Sequence, residues 1–536
     1  MFVDARTLPH ETEVRADLCI IGAGAAGITI AREFIGSPLE VCVLESGGLA
    51  LDGETQRLAG GRNVGFPYFV LETTRLRVFG GSTEHWAGLS RPLEESDFEV
   101  RDWVGGSGWP FPRSHLEPYY LRAHPICQLG AYDYRVDPWE TPGSPRLPLA
   151  GDRLRTCVLR RSPPTRFGRV YHNEIERAGK VRVYLHSNVT QIELAPTGRA
   201  VQRLEVACLT GARFRVSARL YVLATGGLEN PRLLLASNRV APNGVGNDHD
   251  LVGRYFMEHL SPFGGVFMPT NPALPLGLYQ HGRGLAPYGF LCPSAETQRR
   301  EGLLNFRILL LAAPELEVMG NSIDGVRAAH SLIESARRGK LDDDFGVHVR
   351  QVAADLEEEA LYAYKAFFRR DERPLAYYLP MEIEQEPNLS SRVTLTNERD
   401  ALGMPRIALD WRFGELEKRT FRRGVEILAA EVGQAGLGRV KLLPDNVTLT
   451  GGVFRSSTEV VGWPQSVDGL YHHMGTTRMA RDPKRGVVNE DCRVHEIDNL
   501  FIAGSSVFPT AGYTNPTLTI VALSLHLADH LKGLLH

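Results

Sequence analysis

The chain has 536 residues, of which 43% are hydrophobic, and it carries a formal net charge of −3 at pH 7. A chain of this length forms two or three structural units, or one large domain interleaved with a second, and it buries a core without a disulfide framework. The near-neutral charge lacks the basic excess that nucleic acid and anionic membranes attract, so neither is expected as a partner.

The cysteines and the apolar segments exclude further classes of protein. Seven cysteines are scattered and never form a CxxC pair, so we expect no metal site, no iron–sulfur cluster and no stapled secreted fold. The first 19 residues contain neither the apolar segment nor the arginine pair of an export signal. The most apolar internal run, residues 308–313, is too short to cross a bilayer. We therefore expect a cytoplasmic protein without a transmembrane segment, although delivery with a separate exported partner stays open.

Residues 17–45 alternate between strand and helix patterns. Residues 17–21 predict an apolar strand, GAGAAG a turn, residues 25–34 a helix, and residues 39–44 a second strand. Gly22, Gly24 and Gly27 form a GxGxxG motif, in which the glycines permit a tight turn, close approach of a pyrophosphate and close packing of the helix. Glu45, 18 residues after Gly27, is placed to accept from ribose hydroxyls. The segment predicts a dinucleotide site, and the motif alone does not choose between FAD and NAD.

The rest of the chain changes character twice. Residues 50–120 are rich in Gly, Pro and Trp, which is typical of long ordered loops over a ligand. Strands are predicted at 181–193 and 203–223, and ATGGLENPRLLLASN predicts a further turn and helix. A charged, helix-prone stretch (318–370) leads into alternating segments such as MEIEQEP and SRVTLT, which predict a mostly antiparallel sheet. Near 455 the buried-strand pattern returns in NLFIAGSSVFP, and residues 516–535 predict a closing helix.

These patterns predict an α/β fold with a Rossmann-like, dinucleotide-binding domain assembled from both chain ends. Its first part is expected over residues 1–264 and its second part over 455–536. Residues 265–454 are expected to form an inserted α+β substrate-binding domain on a mostly antiparallel sheet.

Two histidines and an asparagine near the C-terminus have the chemistry for alcohol oxidation. An alcohol that loses a hydride needs a base for its O–H proton, and a neutral histidine such as His472 or His473 suits that role. A flavin would accept the hydride at N5. Asn515 precedes Pro516 and is expected to cap the last helix, whose positive end would favour negative charge on a reduced flavin. A structural histidine pair behind an ordinary capped helix explains these residues equally well.

Five segments together form a recognisable set. GAGAAG with Glu45 stands at the start, and FGGSTEHWAG (79–88) with SGWPF (107–111) follows. The middle holds YVLATGGLENPRLLL (221–235) and NDHDLVGRYFMEH (247–259), and the end holds HHMGTTRM and NLFIAGSSVFPTAGYTNPTLTIVALSLHLAD. Over nearly its whole length the chain thereby resembles the glucose–methanol–choline (GMC) oxidoreductase family. The resemblance implies that the Rossmann-like domain binds FAD and that the reaction is oxidation of a CH–OH group.

The resemblance also implies catalytic residues. Members of the family pair a histidine with a downstream histidine or asparagine, and in related enzymes the base lies three residues before a glycine. Here that residue is His472, three before Gly475, with His473 as the less favoured candidate. The second catalytic position corresponds to Asn515, an arrangement similar to that of pyranose and choline oxidases.

His85 resembles the histidine that bonds to the flavin 8α-methyl group in pyranose and choline oxidases. It follows Gly80-Gly81 at the same spacing, and Trp86 comes next, as in the pyranose enzyme. FAD is therefore expected to be bound either covalently through His85 or beside it without a bond. The other FAD contacts implied by the resemblance are Gly80, Gly81, Ser82, Val189, Ala224, Gly226, Gly504, Ser505, Pro516 and Thr517.

The substrate stays less defined than the cofactor. The resemblance leans toward the pyranose-oxidising branch, so a sugar, glycoside or polyol is expected, with a lipophilic or aromatic alcohol as the alternative. Without a cysteine cluster, electrons should pass directly from flavin to oxygen, a quinone or a protein. Two other functions are kept as alternatives. One is a flavin-containing lyase or decarboxylase of the same fold, and the other is an NAD-dependent dehydrogenase. For the aromatic stretch over residues 362–378 we expect one of three roles: stacking on a sugar ring, docking of a partner, or packing within its own domain.

Overall fold

The computed structural model describes residues 1–271, 273–280, 287–312, 374, 376–441, 447–450, 453–456, 467 and 469–536. The strands are β1 (Phe2–Asp4), β2 (Thr12–Ile21), β3 (Val41–Leu44), β4 (Gly61–Asn63), β5 (Leu89–Ser90), β6 (Leu154–Arg161), β7 (Val181–Leu185), β8 (Asn188–Leu194), β9 (Val201–Ala207), β10 (Arg213–Leu223), β11 (Phe263–Pro269), β12 (Tyr288–Pro293), β13 (Phe306–Ile308), β14 (Leu311–Ala312), β15 (Tyr377–Ile383), β16 (Arg392–Arg399), β17 (Pro405–Asp410), β18 (Gly438–Lys441), β19 (Val447–Thr450), β20 (Val453–Ser456) and β21 (Leu500–Ile502). The α-helices are α1 (Ala25–Glu33), α2 (Gly53–Gln56), α3 (Glu95–Phe98), α4 (Arg113–Ile126), α5 (Phe167–Val170), α6 (His172–Glu176), α7 (Glu229–Ala236), α8 (Ala295–Glu301), α9 (Glu415–Gln434) and α10 (Thr517–Leu535).

The first sheet contains strands from both ends of the chain. Its order is β1-β7-β3-β2-β10-β9-β8, and β21 also pairs with β10. The pairs of β1, β7, β3, β2, β10 and β21 are parallel, whereas β9 and β8 are added antiparallel. β2 and β3 end in buried Ile, Val and Leu, as expected of strands covered on both faces. Because β21 lies beside β10, the predicted assembly of the Rossmann-like fold from both chain ends is confirmed.

The second sheet is antiparallel. Its order is β18-β11-β15-β13-β12-β6-β5, with β14 paired to β15, and every pairing is antiparallel. Helix α9 packs on β11, β15 and β18 and buries the apolar face that holds Phe421, Val425 and Leu428. The predicted α+β part with a mostly antiparallel sheet is thus confirmed. Strands β5 and β6 belong to this sheet although they precede residue 264, and the boundaries at 264 and 454 stay a prediction.

The closing helix α10 packs against α4 and α1. It is long and apolar enough to cross a membrane, but 67% of its most apolar window is buried inside the protein. That burial is typical of a core helix.

Two local expectations need comment. Pro516, not Asn515, is the N-cap residue of α10, and no side chain caps that helix. The predicted cap is therefore wrong, and the amide of Asn515 instead bonds to residues of the candidate site. Most of the aromatic stretch at 362–378 lies outside the described residues, but Tyr377 and Tyr378 form the start of β15.

Candidate active site

A cavity of about 730 Å³ lies between the two large sheets and reaches the glycine turn of β2 and α1. Such a volume is in the range of small-molecule and cofactor sites. Fifteen of the predicted site residues line it: Gly22, Gly24, Glu45, Gly81, Ser82, His85, Val189, Ala224, Gly226, His472, Gly504, Ser505, Asn515, Pro516 and Thr517. The structure therefore brings together residues that are spread over almost the whole chain. Gly27 and Gly80 lie behind the lining.

Gly22 and Gly27 of the glycine turn leave no room for a side chain. A Cβ atom on Gly22, whose φ is +101°, would lie 2.6 Å from Ala224 O. A Cβ on Gly27 would lie 1.9 Å from Gly22 O, which explains why this residue packs the helix instead of lining the cavity. Gly24 and Gly81 face each other, and a Cβ on Gly81 would lie 2.9 Å from Gly24 Cα. The N-terminal N–H groups of α1 are thus accessible to an anion, so the cradle fits a pyrophosphate.

Glu45 lies directly after β3 and lines the cavity. Its Oε2 accepts from Ala23 N over 2.9 Å, and its Oε1 accepts from Gly47 N over 2.8 Å. These bonds fix the carboxylate, whose pKa is raised by burial. The fixed position at the end of a parallel strand suits hydrogen bonds from ribose hydroxyls.

The loop after residue 78 lies across the glycine turn. Gly80, with a φ of +103°, donates from its N to Ala23 O over 2.9 Å. This bond fixes the loop, so that Ser82 and His85 are exposed into the cavity. Gly226 and Gly504 also have positive φ values, and a Cβ on either would meet nothing within 4 Å. The open space around these two glycines fits the body of a dinucleotide.

His472 and Asn515 lie close together in a second part of the cavity, apart from the glycine turn. His472 Nε2 lies 3.3 Å from Asn515 Nδ2, and His472 Nδ1 lies 2.8 Å from His259 Nδ1. His259 Nε2 lies 2.8 Å from Gly512 O, an atom that only accepts, so Nε2 of His259 carries the proton. In its neutral form His259 then accepts at Nδ1, and His472 must donate from its own Nδ1. His472 Nε2 therefore keeps its lone pair.

Arg307 leads to the same assignment from the opposite side. Its Nη1 donates to Asn515 Oδ1 over 3.1 Å, and its Nη2 pairs with Glu382 Oε2. A guanidinium has no acceptor, so the amide of Asn515 must turn its oxygen to Arg307 and its Nδ2 group to His472. His472 Nε2 is thus an acceptor, held by two independent chains of hydrogen bonds.

Electrostatics keep this histidine pair neutral. Burial lowers the pKa of His472 well below its usual 6.5, and His259 and Arg307 lower it further. Burial and the Arg307 charge lower the pKa of His259 to about 4. Both imidazoles are therefore uncharged near neutral pH, the state that a general base requires.

Glu258 holds the backbone that carries His472. Its two carboxylate oxygens accept from His472 N over 2.8 and 3.0 Å, and one also accepts from the Tyr68 hydroxyl. Tyr471 has a φ of +62°, a strained value for a bulky residue that the surrounding bonds must maintain. Burial raises the pKa of Glu258 to about 7. His473 Nε2 lies 3.1 Å from the same Tyr68 hydroxyl, away from the contact between His472 and Asn515.

Sequence reasoning missed the residues that support the base. His259 and Glu258 lie in the segment NDHDLVGRYFMEH, which was assigned no chemical role, and their pairing with residue 472 spans more than 200 positions. Arg307 and Glu382 are charged residues within buried strands β13 and β15. A charged side chain is almost never fully buried unless it is paired. The charged residues within these two otherwise apolar segments were therefore the available signal.

Comparison with known proteins finds similarity over most of the chain. Residues 387–524 match the family model "GMC oxidoreductase", and residues 17–242 match "FAD dependent oxidoreductase". The chain is 26% identical to the fructose dehydrogenase large subunit of Gluconobacter japonicus, over 97% of this chain and 98% of that one. It is 25% identical to the 6'''-hydroxyparomomycin C oxidase of Streptomyces lividus, over 96% of this chain and 92% of the other.

A solved structure shows the same fold. Pyridoxine 4-oxidase from Mesorbium loti superposes with a TM-score of 0.60 at 18% identity, covering 96% of this chain and 98% of that chain. The residues that match the two family models include the glycine turn of β2 and α1 and the catalytic candidates His472 and Asn515. By these matches the chain is an FAD-dependent oxidoreductase whose C-terminal part matches that of GMC oxidoreductases.

Proposed function

We propose that the chain oxidises a CH–OH group of a sugar, glycoside or polyol to a carbonyl, with His472 as the general base. The observation that carries this proposal is the lone pair of His472 Nε2, which faces the cavity beside the Nδ2 group of Asn515. A hydroxyl in the cavity within hydrogen-bond distance of both atoms would donate its proton to His472 and accept a hydrogen bond from Asn515.

The chain's own residues prepare and then stabilise the proton transfer. Bound FAD supplies the acceptor for the hydride. His472 Nε2 receives the hydroxyl proton, and the bond from Nδ1 to His259 keeps the ring oriented throughout. Asn515 Nδ2 donates to the oxygen on which negative charge develops, and Arg307 polarises that amide from behind.

The polarity of the cavity favours a polyhydroxylated substrate. Arg307 and Glu382 line it together with His472, and both are buried. These charged groups suit the hydroxyls of a sugar or polyol better than an aromatic or aliphatic chain, which would leave them desolvated without new hydrogen bonds.

Relatives support the same class. Besides the fructose dehydrogenase subunit and the hydroxyparomomycin oxidase, a C-glycoside 3-oxidase of Arthrobacter globiformis is 28% identical over 28% of this chain. A fungal aryl-alcohol oxidase shares the fold with a TM-score of 0.55 at 15% identity. The alternative substrate class is a lipophilic or aromatic alcohol.

The FAD contacts belong to the proposal as well. We assign the pyrophosphate to Gly22, Gly24 and the loop of Gly80, Gly81 and Ser82, and the ribose to Glu45. Val189, Ala224 and Gly226 would contact the adenosine part. Gly504, Ser505, Pro516 and Thr517 would contact the ribityl chain and pyrimidine, and His85 would bond to the flavin 8α-methyl group. An acceptor such as oxygen, a quinone or a protein, and a cytoplasmic location, complete the proposal.

Anaerobic mixing tests the function. The purified holoenzyme is mixed without oxygen with sugars, glycosides and polyols, and separately with aromatic and long-chain alcohols at equal concentrations. The flavin absorbance should bleach fastest with a polyhydroxylated compound. Bleaching by the apolar alcohols alone would make the substrate class wrong. An FAD-loaded enzyme that no alcohol bleaches would point to the lyase alternative.

A further inference from the structure

Two buried cysteines meet outside the candidate active site. Cys157 lies on β6 and Cys292 on β12, and these strands pair antiparallel with Cys157 opposite Phe290. The two residues are diagonal neighbours on one face, and their Sγ atoms are 2.7 Å apart. A disulfide bond measures about 2.05 Å, so a shift of less than about 1 Å would join the sulfurs. Their exposed fractions are 2% and 0%.

The surroundings of the pair favour a thiolate. Burial opposes ionisation of Cys157, but the contact with Cys292 and the charges of Arg91 and Arg155 outweigh it and lower the pKa to about 7. Thiolates, and not thiols, are the nucleophiles of disulfide chemistry. Arg155 extends partly into solvent and pairs with Glu94, so one of the charges that favour the thiolate lies at the protein surface.

The pair lies beneath the loop that carries Asn515. Tyr513, in that loop, is fully buried and packs in one apolar cluster with both cysteines. Its ring centroid lies 5.5 Å from that of Phe290, and its hydroxyl donates to Glu94 Oε1 over 2.8 Å. A bond between β6 and β12 would therefore make the support of the catalytic loop more rigid.

We propose that Cys157 and Cys292 are a redox-sensitive pair that forms a reversible disulfide when a peroxide oxidises it. The Cys157 thiolate attacks one peroxide oxygen and gives a sulfenic acid and water. Cys292 then displaces the hydroxyl group, which leaves as a second water, and the sulfur–sulfur bond forms. The two thiols lose two electrons and two protons in total, and one hydrogen peroxide accepts them.

The test compares holoenzyme treated with hydrogen peroxide and holoenzyme kept in dithiothreitol. Alkylation and digestion without reductant, followed by mass spectrometry, should reveal a peptide that links residues 157 and 292 only after peroxide. Free thiols should fall from seven to five per chain. The oxidised protein should melt about 2–4 °C higher, because the bond closes a long loop in the unfolded chain. Dithiothreitol should reverse both effects.

Cys19 and Cys42 provide a matched control, because they are register partners on β2 and β3 and are equally buried. Cys19→Ser should leave the peroxide-dependent shift in Tm unchanged, whereas Cys157→Ser and Cys292→Ser should each abolish it. A wild-type protein whose Cys157 and Cys292 are both alkylated after peroxide overturns the proposal. So does a link between Cys19 and Cys42 in place of the expected one. A link without any gain in Tm would overturn the stabilising effect.

Discussion

Arg307 on β13 donates from Nη1 to Oδ1 of Asn515 over 3.1 Å, although the two residues are 208 positions apart. Arg307 belongs to the second sheet, and Asn515 directly precedes the cap of α10 in the Rossmann-like part. The bond therefore joins the two halves of the fold at the candidate active site. It also determines which end of the Asn515 amide faces His472. The protonation state of His472 therefore depends on Arg307, which lies outside the HHMGTTRM segment.

Replacing Arg307 tests this dependence. In Arg307→Met the amide of Asn515 is free to rotate, and the positive charge that lowers the pKa of His472 is lost. We expect kcat/KM to fall roughly 10- to 100-fold and its acid limb to move to higher pH. Arg307→Lys is the matched control, because it keeps the charge but loses the fixed fork of donors. Its acid limb should stay near that of the wild type. Equal pH profiles for the Met variant and the wild type would contradict the role given to Arg307.

The pH profile of the wild-type enzyme follows from the same electrostatics. Burial lowers the pKa of His472 well below 6.5, so the base is neutral at pH 7 and becomes protonated only at lower pH. The profile of kcat/KM reports the free enzyme, so it should be flat between about pH 6.5 and 8 and fall only below 6.5. The contribution of His472 to stability should follow the same direction, since the unfolded histidine binds a proton first as the pH falls below 6.5. An acid limb centred above pH 6.5 would show that His472 is not the group that titrates.

The fold was predictable where local chemistry and topology agree. The glycine turn after β2 and the apolar β3 follow from residue types that have few alternatives, and α10 follows from a continuous apolar pattern. β2 nevertheless begins at Thr12 rather than near Asp17, because its first half alternates between half-buried and exposed positions beside β10. β6 was not predicted at all. Its sequence LRTCVLRR has arginines near both ends, and its pairing with β12 and β5 makes it a strand.

The candidate site was predictable only in part, for a similar reason. The residues of the cofactor cradle lie close together in the sequence, so their spacing alone predicts that Gly22, Gly24 and Glu45 belong to one site. The support of His472 comes from residues 259 and 307, whose positions are set by the packing of the two sheets. The N-cap predicted for Asn515 was a local inference from the following proline. The actual bonds of that side chain are long-range, and no local pattern reports them.

His472→Ala should separate catalysis from cofactor binding. We expect the variant to retain FAD, because the cradle of α1 and the loop of Gly80 are unaffected, but to reduce its flavin with substrate about 10²- to 10⁴-fold more slowly. His473→Ala is the matched comparison. Its imidazole bonds to Tyr68 and not to Asn515, so we expect a loss of less than about tenfold. Stopped-flow measurement of flavin bleaching distinguishes the two. If His473→Ala is the slower variant, the base has been assigned to the wrong histidine.

His259 should act through the tautomer of His472. In His259→Asn the new amide oxygen can still accept from His472 Nδ1, so kcat/KM should stay within about tenfold of the wild type. His259→Leu removes the acceptor and leaves a buried N–H unpaired, so kcat/KM should fall roughly 10- to 100-fold and Tm should also decrease. Both variants lose the bond to Gly512, which makes them a fair comparison. Identical kinetics for Asn and Leu at position 259 would exclude tautomer control.

His85 decides how the cofactor is held. Its side chain is exposed into the cavity at the end of the loop that follows Gly80, the position from which it would reach the edge of a flavin bound beside His472. If the proposed bond to the 8α-methyl group forms, acid precipitation of the wild-type holoenzyme should leave the yellow colour in the pellet. His85→Ala should release it into the supernatant, whereas His10→Ala, at an exposed site in another part of the chain, should behave as the wild type. Because the glycine cradle is intact in His85→Ala, that variant should still purify with FAD. A yellow supernatant from the wild type would show that the cradle alone retains the cofactor and that His85 only lines the cavity.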